Sequence, residues 1–288
     1  MINASPPYDD GFDHIAELQS IISRKHDNPV PRRTTLTTIF QQLRIRYNEY
    51  QGHRHTLERV TLIPRTVDEI EALDTCYKSG TKFYHSLMAS ALGEYAAPLP
   101  RCPYCQIEIA RTWDHFLPSS QYPDFFVFRP NLVRVCHHCN ERKGDAHVSP
   151  IRQTIHPYFE ALSDVRYLVC DVEYDQQLTL TFRIDPDTAH QDYAPYVEGV
   201  VREHFRVYGL ERKFRAEASS KISSLVTAAK LCERVIHTAP DQAIIDQIVE
   251  NELEALAQRG NHLNHWETAF WNGARACPDL LTYVQAQL

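Results

Sequence analysis

The stretch from Arg101 to Asp145 reads RCPYCQIEIARTWDHFLPSSQYPDFFVFRPNLVRVCHHCNERKGD. It holds two Cys-x-x-Cys pairs, Cys102/Cys105 and Cys136/Cys139, on either side of Asp114-His115. A Cys-x-x-Cys turn presents two thiolates on one side of a tight knuckle. Two such knuckles supply the four soft ligands of a closed tetrahedral zinc site, so the expected Zn²⁺ is structural. Two disulfides or a redox pair are the rival readings. A reducing compartment disfavours the first, and the lack of a βαβ frame around either pair disfavours the second.

The residues between the knuckles predict a small α+β core. Arg111–Phe116 reads as a strand that Pro118 ends, since proline has no N–H to give a ladder. Asn131–Cys136 is β-branched and alternating, which predicts a second strand. His137–Lys143 then reads as a short helix closed by Gly144. The loop Ser119–Pro130 carries Tyr122, Phe125, Phe126 and Phe128, whose expected role is to anchor the loop on the core.

With Asp114-His115, Asn131 and Asn140 set in this frame, the stretch resembles the HNH, or ββα-metal, endonucleases. It is similar to four-cysteine members with Asn at the third signature position, as in the HNH domain of CRISPR effector nucleases. The resemblance implies DNA phosphodiester hydrolysis. His115 would be the general base. Asp114 and Asn140 would hold a catalytic Mg²⁺ or Mn²⁺, and Asn131 would brace the loop and orient His115. The residue chemistry agrees: a neutral imidazole takes a water proton near neutral pH, and oxygen donors suit a hard divalent cation. Lys143 and Arg142 are candidate phosphate contacts; for Lys143 a solvated helix-end position is the equal alternative. His137 and His138 are read as exposed, and His147 as an extra metal ligand in sites that use His.

Outside this stretch the chain reads as mainly helical. The domain expectation is a helical region 1–97, the zinc-bearing nuclease core 98–150, and a hairpin with helices over 151–288. Helices are expected at Phe12–Arg24, Thr34–Gln51, Val67–Tyr77 and Thr81–Leu92, from apolar residues recurring at helical spacing. In IHPYFEAL, Ile155, Tyr158, Phe159 and Leu162 are expected to pack back on the core, with His156 structural. Arg166–Tyr174 and Gln177–Ile184 alternate as a hairpin and are expected to lie beside the core, extending its sheet. Helical stripes follow from Ala194 to the end, with Gly209 and Gly260 as closing glycines.

Net charge is −7, from 30 Lys and Arg against 37 Asp and Glu. Locally the balance reverses. Arg24–Arg65 carries nine basic residues against three acidic ones, and Arg44 and Arg46 from this run are candidate DNA contacts. No secretory leader, membrane span or phosphate-binding glycine loop is seen, so a cytoplasmic chain without its own ATPase is expected. Helical flanks of this size resemble those of nucleases in antiphage systems of the Septu type. That implies a companion ATPase or other defence subunit as partner. A zinc-stabilised nucleic-acid-binding or scaffold subunit without catalysis is the alternative reading.

Overall fold

Helix α1, His14–Ser23, starts where Asp13 caps it, accepting from the Ile15 and Ala16 amides. Its apolar stripe buries Leu18, Ile21 and Ile22. Helix α2, Val30–Gly52, begins four residues before the sequence predicts. Pro29 and Pro31 do not delay it, because proline's fixed φ and missing N–H suit a first helical turn. Helix α3, Val67–Tyr77, opens with a reciprocal capping box between Thr66 and Glu69. Helix α4, Lys82–Leu92, follows a turn at Gly80. Successive helices pack pairwise, α1 on α2, α2 on α3 and α3 on α4.

The computed structural model describes residues 4–92, 100–145, 152–160, 166–189, 191–260 and 263–288. The boundaries expected at 97/98 and 150/151 lie outside them, as do His147 and Leu162. The chain is mixed α and β, mostly helical, with small sheets. It forms two compact units, Asn3–Ala161 and Leu162–Leu288, so the N-terminal helices and the four-cysteine stretch share one unit.

In that unit, strand β1 (Thr112–His115) pairs antiparallel with β2 (Leu132–Val135), from Thr112↔Val135 to His115↔Leu132. Helix α5, His137–Lys143, packs against β1 and stops at Gly144, whose φ of +46° few other residues adopt. The loop between the strands is pinned by its aromatics. Tyr122, Phe125, Phe126 and Phe128 are all buried. Phe128 lies 4.0 Å from the Tyr47 ring, and Phe125 5.0 Å from that of Tyr50, both on α2. Ile155 and His156 are buried in the same interior, and the Tyr158 hydroxyl donates to the Leu132 carbonyl.

The second unit is built on a hairpin of β3 (Leu168–Asp175) and β4 (Gln177–Ile184), with Gln176 at its apex in the left-handed region. The expectation that this hairpin extends the β1–β2 sheet is not met. Among the described residues the two hairpins are separate two-stranded sheets. The apolar face of β3–β4 is covered instead by helices of its own unit. A short helix, α6 (Ala194–Tyr196), runs through a π turn into α7 (Arg202–Val207). Gly209, at φ +59°, turns the chain into α8, Leu210–Ile236, which packs on β4. Helix α9 (Gln242–Gln258) packs on α10 (Trp266–Ala276), and α10 lies along β3. The closeness of α10 depends on Gly273, where a Cβ would sit 2.1 Å from the Cys170 carbonyl oxygen. Helix α11, Leu280–Gln285, ends the chain. Among the described residues no helix is long and apolar enough to cross a membrane.

Candidate functional site

The four cysteines of the two knuckles meet. Cys102, Cys105, Cys136 and Cys139 are all buried, and their sulfurs lie within 4.8 Å of one another. Cys105 and Cys136 are 3.9 Å apart, sulfur to sulfur. A tetrahedron with Zn–S near ~2.3 Å has S–S edges of about 3.8 Å, so the cluster is sized for such an ion. The first knuckle is closed by backbone bonds from Cys102 N to Glu108 O and from Gln106 N to Cys102 O, both 2.7 Å, with Gln106 at φ +64°. In the second, the Cys136 sulfur caps α5 by accepting from the Cys139 amide. Hydrogen bonding among the four thiols splits them: Cys102 first, it pushes Cys105 and Cys136 down toward the thiolate, while burial holds Cys102 up and the neighbouring thiols hold Cys139 up, so a metal would have to displace the protons that remain. The buried cluster could hold a metal such as zinc.

Asp114 lies on β1 and is buried with both carboxylate oxygens engaged. The Tyr104 hydroxyl donates to Oδ2 at 2.8 Å, and the Lys143 ammonium sits 2.8 Å from Oδ1. Lys143 also donates to the His115 carbonyl at 2.7 Å. This corrects the reading of Lys143 as a phosphate contact or a solvated helix end. Its side chain is 1% exposed because it is the counter-ion of a buried carboxylate.

Successive side chains on a strand point to opposite faces, so His115 has partners of its own. Its Nε2 lies 3.0 Å from the Phe126 carbonyl oxygen. A carbonyl only accepts, so Nε2 carries the proton and Nδ1 is left as a lone-pair acceptor. The ring stands edge-on to Tyr77 at 4.7 Å and to Phe126 at 5.4 Å. Desolvation lowers the His115 pKa, against the opposing pull of the Phe126 carbonyl and the Asp114 charge. The imidazole is therefore neutral at physiological pH.

The Asn131 side chain brackets Leu117, accepting from its amide at 2.7 Å and donating to its carbonyl at 3.1 Å. Asn131 thus ties the start of β2 to the exit of β1, while the Phe126 carbonyl is what holds the His115 ring. Asn140 is half-buried on α5, and among the described residues its side-chain amide makes no hydrogen bond. His137 and His138 are exposed.

The basic run is only partly outward. Arg44 and Arg142 are exposed. Arg46 is not: its Nε pairs with Asp124 Oδ2 at 2.8 Å, and its other nitrogens reach Glu49 and the Thr61 carbonyl. Arg65 binds the second oxygen of Asp124 at 2.7 Å. The reading of Arg46 as a DNA contact is corrected accordingly, since a guanidinium committed to a buried carboxylate has nothing left for phosphate.

The sequence reading passed over two residues of this neighbourhood. Tyr77 ends α3 beside His115, and nothing local to α3 points there. Tyr104 sits inside the first knuckle, and its place between Cys102 and Cys105 is the signal that could have marked it.

No family model matches this chain, and no solved structure matches it. It is similar to Protein ea31 of Escherichia phage lambda, 24% identical over an alignment of 242 residues that covers 75% of this chain and 75% of that protein. That name states no activity.

Proposed function

We propose that this chain is a metal-dependent HNH endonuclease that hydrolyses DNA phosphodiester bonds. The observation that carries the reading is the state of His115. It is neutral, its ring is held through Nε2 by the Phe126 carbonyl, and Nδ1 remains free to accept a proton from water. Asn131 bracing the β1 exit supports it, as does the order of strand, loop, strand and helix. Asp114 and Asn140 would hold Mg²⁺ or Mn²⁺. The Lys143 ammonium is the present counter-ion of Asp114, and a divalent ion there would take its place. When bound, the cation would relieve charge on the phosphate and the leaving oxygen. The four cysteines hold structural zinc. Of the basic residues read as DNA contacts, Arg44 and Arg142 are exposed and would meet DNA. A role as the effector of a defence assembly with a companion ATPase rests on the resemblance in the flanks.

His115→Ala tests the reading. Nicking of supercoiled plasmid with Mg²⁺ or Mn²⁺ should vanish in this variant while zinc content and the melting curve stay native. Undiminished cutting would remove His115 from the chemistry. A second reading, a zinc-stabilised nucleic-acid-binding or scaffold subunit, is favoured by the full engagement of Asp114. Native protein that retards DNA but leaves it intact across a metal titration would select it.

A further inference from the structure

The two partners of Asp114 both hang on elements that the cysteine cluster holds. Tyr104 lies between Cys102 and Cys105, and Lys143 lies one helical turn beyond Cys139 on α5. Tyr104 and Lys143 are buried, at 1% and 2% exposure, and each donates to a different oxygen of the same carboxylate. Their effects on a cation at that carboxylate differ in sign. The tyrosine is neutral and occupies Oδ2, which fixes the plane of the group and leaves Oδ1 to a cation. The lysine is positive and already sits on Oδ1, where a divalent ion would meet it as a like charge at close range.

We infer that Tyr104 and Lys143 set the affinity of Asp114 for a divalent cation in opposite directions. Tyr104 is a positioning residue that aims the carboxylate. Lys143 is a resident cation that keeps Oδ1 occupied and must withdraw before a divalent ion can bind. Its flexible four-carbon stem makes that withdrawal feasible, which a planar guanidinium would resist. The site is therefore charge-compensated when no divalent ion is present, and removing the lysine would leave a buried carboxylate unpaired. The inference rests on the proposed function, because it concerns the same cation site.

The test is Mn²⁺ binding to the zinc-loaded full chain, followed by electron paramagnetic resonance of free Mn²⁺. Lys143→Met should bind Mn²⁺ about tenfold more tightly than the native chain. Tyr104→Phe should bind it about tenfold more weakly, with zinc content unchanged. Lys143→Gln keeps a donor for the His115 carbonyl and serves as a second variant if the Met form does not fold; it too should tighten binding. Asp114→Asn should abolish this Mn²⁺ site. A purely structural role for both residues would weaken binding in both variants, and that result overturns the inference. So does native affinity in Tyr104→Phe, or Mn²⁺ binding that persists in Asp114→Asn. A native chain that cuts DNA with Mn²⁺ while Lys143→Met fails to tighten removes this inference alone. A native chain that neither binds Mn²⁺ nor cuts DNA removes the nuclease reading along with it.

Discussion

The two units bury different things. The interior of Asn3–Ala161 is full of ionic and polar groups: Asp124 with Arg46 and Arg65, Asp114 with Lys143, Arg129 with Glu17, and Asn131 and His156. The interior of Leu162–Leu288 rests mainly on apolar surface, with Leu168, Cys170, Val172, Phe182, Phe270 and Trp271 at its centre and α10 laid directly on β3. Buried charge is costly to desolvate and contributes little net stability, whereas apolar burial contributes about 25 cal/mol per Å². The contrast teaches that the first unit trades stability for fixed polar geometry and depends on its cysteine cluster. The second is a packing scaffold that answers to shape.

The sharpest way to break this contrast is to disrupt the four-cysteine cluster. Cys139→Ser, or zinc chelation, should unfold the first unit. Apparent zinc-binding energies of about 10–16 kcal/mol are as large as the whole net stability of a typical domain, about 5–15 kcal/mol. Hydrogen exchange should then rise across β1, β2 and α5 while β3, β4 and α10 stay protected. Equal loss in both units would erase the distinction.

Next in size is Asp124→Ala. It takes the shared carboxylate from two buried guanidinium groups, which keep only the carboxylates of Glu49 and Glu69 at the edge, and should cost about 3 kcal/mol by denaturant unfolding, the low end for a broken buried pair. A cost under 1 kcal/mol would mean that the arginines swing out to water. Gly273→Ala probes the other unit. A Cβ 2.1 Å from a backbone oxygen forces α10 off β3, with an expected loss of about 3 kcal/mol, the upper end of the usual overpacking range. Native stability in that variant would show the α10–β3 contact to be soft.

Acid should separate the units more gently. Burial lowers the His14 pKa to about 4 and holds His156 well below its ordinary value, so both are neutral in the folded first unit. Protons then bind the unfolded chain better. Stability is full above the ordinary histidine value near ~6.5 and falls as pH drops from there toward about 4. His156→Phe should flatten part of that slope. The smallest expected effect is that of Arg44→Gln. It should leave stability within about 0.5 kcal/mol while weakening DNA retention and shallowing its salt dependence.

The sequence made some of this legible because the signals were local. The knuckle spacing foretold the cysteine cluster, the helical reading of Val67–Tyr77 matches α3 to the residue, and Gly144 marked the end of α5. What escaped depended on partners distant in the chain. Arg46 counted as surface charge because Asp124 lies 78 residues away. Lys143 did so because Asp114, 29 residues back, is the group it neutralises. The hairpin's separate sheet was hidden for the same reason, since the helix that covers β3 reaches it only by way of Gly273.

The aromatic loop between β1 and β2 also bears on how far the chain can be cut down. A fragment of residues 100–145 would keep all four cysteines but would strip Phe125 and Phe128 of the α2 rings that cover them. It would also strand Asp124 without either arginine. Such a peptide would keep its four thiols and still clump, so the motif is not portable. Its fold is completed only by the helices ahead of it.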